Sequence, residues 1–417
     1  MFNKTTLDNG IRVITESLEH SRVVAVGVWI DVGSRDEHDL NSGTAHFVEH
    51  MLFKGTGNRT AQQIAREFDV LGGAANAFTS RENTCLHATV LDSNLPKVVD
   101  LFTDLLSNSL FADNDIERER QVILQEINMV EDVPDDHIHD LFAALLWGKH
   151  PLGKTILGVQ EIVAAMDSKK LKDYVEKYYT ADKIVIAAAG NVNHDEFVSL
   201  WQDSFASLSQ TSDLLQKRKK PAVHLPKRKF YSKPLEQVHM LLGTYGLSVV
   251  DEARFTYLLM NVLLGGNMSS RLFQEVREKK GLAYAIYSYV APYSDCGYLA
   301  IYLGVDRDSV NESLALIDSQ IRILHEKFIP DSELKNAKDF VKSGLFLSMD
   351  NMESIMTRIA RNELYFGRYV PLQEVVDSID RVGSRQIKEL ASQVFGSHSM
   401  TVTGLGPMEK AEIDWTL

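Results

Sequence analysis

Two histidines, His46 and His50, stand four residues apart with Glu49 just before the second, in the stretch 43–55 that reads GTAHFVEHMLFKG. Ser42 stands where an N-cap belongs, Gly55 where a C′ glycine ends a last turn, and nothing between them breaks a helix, so residues 43–54 are expected to be helical. Side chains four apart share a helix face, which lets both imidazoles reach one divalent ion. Glu49 then lies beside that ion without having to ligate it, the layout of a metal-activated water with a carboxylate base next to it. The bland alternative is an amphipathic helix whose His and Glu face water. Phe47, Val48, Met51, Leu52 and Phe53 weigh against it, because they make most of the helix apolar, and a buried His or Glu needs a partner.

A catalytic zinc usually keeps three protein ligands and one open position, so a third ligand must come from elsewhere. The stretch 113–130 reads as a long helix capped by Asp113 or Asn114, charged in its first turns and apolar in its later ones. Glu126 sits among Ile123, Leu124, Ile127 and Val130, whereas Glu117 lies with Arg118 and Arg120 in the charged start. A carboxylate in apolar surroundings is costly unless something positive meets it, which makes Glu126 the better ligand candidate. Glu119 is two turns before Glu126 and on nearly the same face. It is either a supporting carboxylate that orients a ligand or a surface ion-pair former.

With His46, Glu49 and His50 followed by Glu119 and Glu126, the chain resembles the pitrilysin and mitochondrial-processing-peptidase family of zinc peptidases, whose His-x-x-Glu-His order inverts the commoner motif. The resemblance implies His46, His50 and Glu126 as ligands of one Zn²⁺ per chain, Glu49 as general base and Glu119 as a supporting carboxylate. Arg277 and Tyr284, seven apart in REKKGLAY, match the family's Arg and Tyr that hold the substrate and steady the carbonyl oxygen. A guanidinium and a phenol can each donate a hydrogen bond there. The segment 74–84, AANAFTSRENT, resembles the family's edge strand beside the metal. Its small residues leave backbone that an extended peptide can join as an added strand, with Asn76 and Ala77 as candidate substrate contacts; the alternative is a purely structural strand. The resemblance also implies a zinc-dependent endopeptidase acting on unstructured peptides or presequence-like segments inside a chamber of two subunits. A homodimer is expected, with a heterodimer open, and Arg277 and Tyr284 then face the partner's zinc.

Composition fits. The chain has 417 residues, 44% hydrophobic and 24% charged, enough for two or more globular domains. A net charge of −13 argues against nucleic-acid binding and suits a basic or cationic substrate. No stretch has the uninterrupted apolar length of a membrane span, the amino terminus lacks a leader pattern, and Cys85 and Cys296 form no Cys-x-x-Cys pair. A reducing cytoplasm is the expected location, with no membrane contact. Asp135–Asp140, with His137 and His139 among them, reads as a solvated helix start after Pro134 in preference to a metal site, and 150–158 as a structural loop.

The chain is expected to be a duplication. Ser168 and Ser384 open matching helices, and Gly190 and Gly406 end matching strands, all at one offset of 216 residues. A Pro-interrupted basic run around Lys217–Lys220 and Lys227–Lys229 reads as a solvated linker, giving an N-terminal zinc domain over 1–212, a linker over 213–234 and a C-terminal homologous domain over 235–417. The fold class expected is α+β, two homologous domains each a mixed, mostly antiparallel sheet with helices packed on one face. In the second copy the positions of His46, Glu49 and His50 fall at Thr256, Leu259 and Met260, and no Glu lies between Glu333 and Glu353, so only the first copy can hold metal. Rival readings are a non-catalytic partner subunit and a zinc hydrolase of non-peptide substrates.

Overall fold

The computed structural model describes residues 1–202, 204–205, 208, 218–396, 400–408 and 413. The first half of the chain forms β1 (Phe2–Thr6), β2 (Arg12–Ser17), β3 (Val23–Ile30), α1 (Thr44–Leu52), α2 (Ala61–Leu71), β4 (Ala74–Thr79), β5 (Thr84–Leu91), α3 (Leu95–Asn108), α4 (Asp113–Asp132), α5 (Pro134–Trp147), α6 (Gln160–Ala164), α7 (Ser168–Tyr178), β6 (Ile184–Gly190) and α8 (His194–Trp201). The second forms β7 (Arg228–Ser232), β8 (Val238–Gly246), α9 (Arg254–Leu264), a short helical segment at Phe273–Glu278, β9 (Ala283–Pro292), β10 (Gly297–Val305), α10 (Val310–Glu326), α11 (Asp331–Ser348), α12 (Met352–Phe366), α13 (Leu372–Asp380), α14 (Ser384–Phe395) and β11 (Thr401–Gly406). The expected α+β class with two mixed, mostly antiparallel sheets is what these elements build, but helices cover both faces of each sheet where one face was expected.

The first compact unit comprises Met1–Met129, Lys154–Lys219 and Leu347–Val370. Its sheet has the order β1-β2-β6-β3-β5-β4, with β2 and β6 parallel and every other pair antiparallel. The central strands β3 and β6 are almost continuously apolar because both their faces are covered, and β6 is buried along its whole length. One face carries α1, α3 and α7 over a core that includes Val26, Val28, Phe47, Phe102, Leu105, Ile123 and Leu171. On the other face lies α12, whose Ile355, Met356, Ile359 and Ala360 pack on Ile14, Ala25, Trp29, Val185, Ala187 and Ala189. Gly27 makes room for it, since a Cβ there would stand 2.6 Å from Met356 Sδ. Glu363 on α12 is buried but compensated by Lys4 at 2.8 Å and Arg12 at 3.3 Å.

The second unit comprises Val130–Gly153, Lys220–Phe346 and Pro371–Leu417. Its sheet order, β7-β11-β8-β10-β9, is that of the first sheet without β1, again with one parallel pair, β7 with β11. Here α5 covers the face that α12 covers in the first unit, through Ile138, Phe142, Leu146 and Trp147 against Leu241, Tyr298 and Leu405. Gly243, 216 residues after Gly27, plays the same part, because a Cβ there would meet the Phe142 ring at 2.5 Å. Gly190 and Gly406, the other matched pair, both take positive φ, +124° and +149°. The two units thus repeat one plan, and each includes the helix that follows the other half's long α4 or α11.

Part of the segment read as a linker, 213–217, lies outside the described residues, as does Lys217 of the basic run. Arg218 departs from the solvated reading. Its guanidinium forks onto Asp36 at 2.9 and 2.7 Å and reaches Asp31 at 2.9 Å, with only 16% of its side chain exposed.

Candidate metal centre

The site is built on α1, which runs from Thr44 to Leu52, shorter than the expected 43–54. Ser42 is not its cap. The N-cap is Gly43, left-handed at φ +87°, and Ser42 Oγ is buried with no hydrogen-bond partner. The free N–H groups of the first turn are taken instead by Glu37. The Gly43 N–H donates to Glu37 Oε2 at 2.8 Å, and the Ala45 N–H to Oε1 at 2.7 Å. A carboxylate at a helix N-terminus is favoured by both the unpaired N–H groups and the dipole. Glu37 is 2% exposed, and burial pushes its carboxyl up to about 8 against the opposing pull of these two bonds and Lys154. Gly43 is also where the loop at Leu157–Gly158 closes on the helix, since a Cβ at Gly43 would lie 2.6 Å from Leu157 O. At the far end the helix stops on Phe53, ahead of Gly55, with the Phe53 N–H reaching back to His50 O.

His46 and His50 share one face of α1, their ring centroids 4.6 Å apart. Opposite them α4 brings Glu126, whose Oε2 lies 3.7 Å from His46 Nε2 and 3.5 Å from His50 Nε2. Ile123 and Ile127 anchor that turn of α4 in the core. His46, His50 and Glu126 offer donor atoms all within 4.8 Å of one another, and among the described residues this is the single such group. Glu126 Oε2 is buried and accepts no hydrogen bond, and His46 Nδ1 is buried and unpartnered. Burial first and the neighbouring His50 second push His46 down to about 4, so its imidazole is neutral near pH 7 with a lone pair to offer. Two imidazole nitrogens and a carboxylate oxygen converging without hydrogen bonds between them fit a divalent cation of zinc's preferences.

Glu119 is buried, not a surface ion-pair former. Its Oε2 is 3.1 Å from His50 Nδ1, and its Oε1 takes Lys54 Nζ at 2.7 Å. That bond fixes the His50 ring so that Nε2 is the nitrogen turned to the ligand group. Glu49 points from the same helix toward β4, where the Thr79 hydroxyl donates to its Oε2 at 2.5 Å. Burial raises the Glu49 carboxyl above the ordinary range, opposed by the Thr79 bond and His50. Thr79 and Glu37 were both missed in the sequence. Thr79 lies three residues beyond Asn76 in the strand expected beside the metal, and alternation places it on the α1 side. Glu37 carried no local signal, since its partners are backbone groups six and eight residues away.

β4 is the end strand of its sheet, so one of its edges is unpaired by any described strand. Asn76 is exposed and turns its Oδ1 to the Ala77 N–H at 2.9 Å, while Ala77 faces the core side. In the second unit Arg277 and Tyr284 stand together, the guanidinium 5.8 Å from the Tyr284 ring and 4.9 Å from that of Phe273. Tyr284 is 76% exposed at the start of β9. The counterparts of the α1 triad, Thr256, Leu259 and Met260, are buried on α9. His139, in the stretch read as a solvated helix start, hydrogen-bonds Tyr289 at 2.7 Å. No described helix is long and apolar enough to cross a membrane.

Residues 12–160 match the model of Insulinase (Peptidase family M16), and residues 165–341 that of the Peptidase M16 inactive domain. The chain is 40% identical over 400 residues to YmxG of Bacillus subtilis, named an uncharacterized zinc protease, covering 95% of this chain and 96% of that one. It is 37% identical over 399 residues to a protein of Rickettsia felis with the same description, covering 95% of each. In fold it superposes on a protease from Helicobacter pylori with a TM-score of 0.90 at 22% identity, covering 98% of this chain and 99% of that one. A Pseudomonas fluorescens structure described as a peptidase M16 inactive domain gives a TM-score of 0.91 at 20% identity, covering 98% of both. With its two halves matched in order and its length shared with relatives named zinc proteases, the chain belongs to peptidase family M16 and is a short, two-domain member of it.

Proposed function

We propose that this protein is a zinc-dependent endopeptidase that hydrolyses unstructured peptides, or presequence-like segments, in a chamber formed by two subunits. The observation that carries the reading is the convergence of His46 Nε2, His50 Nε2 and the unpartnered Glu126 Oε2, with Glu49 on the same helix held by Thr79. One Zn²⁺ per chain on these three residues would supply Lewis acidity, lowering the pKa of water and polarising the scissile carbonyl. Glu49 accepts the proton of the attacking water at its carboxylate and returns it to the leaving amine. Burial holds its carboxyl above the ordinary carboxylate range, the direction that favours a group which both takes and gives a proton. Thr79 holds one oxygen of that carboxylate and leaves the other free. Glu119 holds His50 in the tautomer that offers Nε2.

The unpaired edge of β4 binds substrate as an added strand, with Asn76 and Ala77 contacting its backbone, so affinity comes from main-chain hydrogen bonds and demands an extended polypeptide. Arg277 and Tyr284 donate hydrogen bonds to the carbonyl oxygen as it gains charge. In the homodimer reading they serve the partner's zinc site. The enzyme works in the cytoplasm. The test is cleavage of a mixed set of unstructured peptides of about ten to thirty residues, with and without chelator and with zinc restored. Chelator-sensitive cleavage restored by zinc is expected. Silence from protein that holds zinc overturns self-sufficiency and favours a subunit that needs a different partner.

A further inference from the structure

The M16 reading uses α1, α4, β4 and the Arg277–Tyr284 pair, and leaves unexplained a nest of charge in the first unit. Asp31, at the end of β3, Asp36 and Glu82 gather around Arg218, which arrives from the segment between the two halves of the chain. The Arg218 guanidinium donates to both Asp36 oxygens at 2.9 and 2.7 Å, to Asp31 Oδ1 at 2.9 Å and O at 3.1 Å, and to Glu82 O at 2.8 Å. Arg35 closes the nest from the other side, pairing with Glu82 at 2.6 Å and donating to Lys219 O at 3.0 Å.

Two paths lead from this nest to the metal site. Along the first, Asp36 precedes Glu37, the carboxylate that caps α1 through Gly43 and Ala45, one residue before His46. Along the second, the turn between β4 and β5 is locked to the same loop. The Ser34 N–H donates to Ser80 O at 3.1 Å, the Arg35 N–H donates to Arg81 O at 2.7 Å, and a Cβ on Gly33 would collide with Ser80 O at 2.4 Å. That turn follows Thr79, which holds Glu49. Loop 31–37 and turn 80–83 are therefore one block, bearing the cap of the metal helix and the strand that orients the base. A forked guanidinium neutralises the Asp36 carboxylate while fixing its direction.

We propose that Arg218 is a positioning residue of this enzyme: by pinning Asp36 and the Glu82 turn from the interdomain segment, it sets the register of the helix that carries His46, Glu49 and His50. The inference rests on the peptidase reading for its purpose, but not for its test. In Arg218→Gln, and in Arg218→Lys, which keeps the charge and loses the fork, amide exchange across residues 43–46 rises at least tenfold against an internal standard in β3. Zinc affinity, measured by competition with a chromophoric chelator, weakens at least tenfold. Asp36→Asn gives the same pair of shifts, and Arg218→Gln combined with Asp36→Asn is no worse than either alone, because both break one fork. Should Arg218→Gln fail to fold, Arg218→Lys decides. A folded variant whose exchange rises only around residues 218–220, with residues 43–46 and zinc affinity unchanged, overturns the proposal and leaves Arg218 as a mere anchor of the segment. Neither readout needs turnover, so an inactive wild type would overturn self-sufficient peptidase activity and leave this inference to its own result.

Discussion

The helices α1 and α9 occupy equivalent places in the two units, and they differ where chemistry is concerned. α1 offers His46, Glu49 and His50 on one face, whereas α9 offers Thr256, Leu259 and Met260, all buried. Behind α1 the long helix α4 supplies Glu119 and Glu126, while α11 has no glutamate past Glu333. The sheet beneath each is the same apart from one edge strand, down to the glycine that admits a covering helix at Gly27 and Gly243. The scaffold therefore folds whether that helix face is polar or apolar. The polar version spends burial on desolvated groups that need a cation, and the apolar version does not.

The sharpest way to break the comparison is at Glu49, which should carry reaction and not metal. In Glu49→Gln, zinc content is expected to stay at one per chain while kcat falls by roughly 10²–10⁴-fold. Near-normal turnover would remove Glu49 as the base and leave α1 differing from α9 in metal binding alone.

Acid stability of the metal-free protein gives the next effect. His46 is held down to about 4 in the fold, against 6.5 when free. A histidine whose folded value is depressed contributes stability that is present above the free value and lost as pH falls toward the folded one. The loss between about pH 6.5 and about pH 4 should therefore reach about 3 kcal/mol. Urea midpoints across this range in chelator should show the slope, and His46→Leu, which makes α1 more like α9, should flatten it. Equal slopes in the two proteins would mean that His46 is not desolvated as described.

A smaller effect is expected at Thr79, whose hydroxyl holds one oxygen of Glu49 at 2.5 Å. Thr79→Val should lower kcat by roughly ten- to a hundredfold, the worth of a hydrogen bond to a charged group, with KM little changed. Thr79→Ser, which keeps the hydroxyl, should recover most of it. If Ser fares no better than Val, Thr79 acts through packing of β4 and not through its bond.

Much of this site was legible because helical spacing is a strong constraint. His46 and His50 four apart, and Glu126 two turns beyond Glu119 in an apolar run, meet as those intervals imply. The duplication was legible for the same reason, since matched strands and glycines recur at one offset. What escaped is what depends on the third dimension. Ser42 looked like a cap, but the cap is Glu37, brought to Gly43 and Ala45 by a loop. Arg218 looked solvated among lysines, yet Asp31, Asp36 and the Glu82 carbonyl, from two distant loops, surround it. That α12 packs with the first unit and α5 with the second was also hidden, because an amphipathic helix shows that it has an apolar face and not which sheet that face will cover.

The last prediction asks whether the two halves of the comparison work on each other's behalf between subunits. If Arg277 and Tyr284 serve the zinc of a partner chain, a Glu49→Gln subunit still presents a sound Tyr284, and a Tyr284→Phe subunit a sound Glu49. In a two-fold dimer mixed from equal amounts, half of the dimers are hybrids, and each hybrid holds one complete site of two. The mixture should then regain about a quarter of wild-type turnover, from parents that are each nearly inactive. Activity no higher than the mean of the two parents, in a mixture whose hybrids are demonstrated by a size or affinity tag, would mean that both residues serve the site of their own chain. The second unit would then complete the first within one subunit, and the dimer would not be needed for the chemistry.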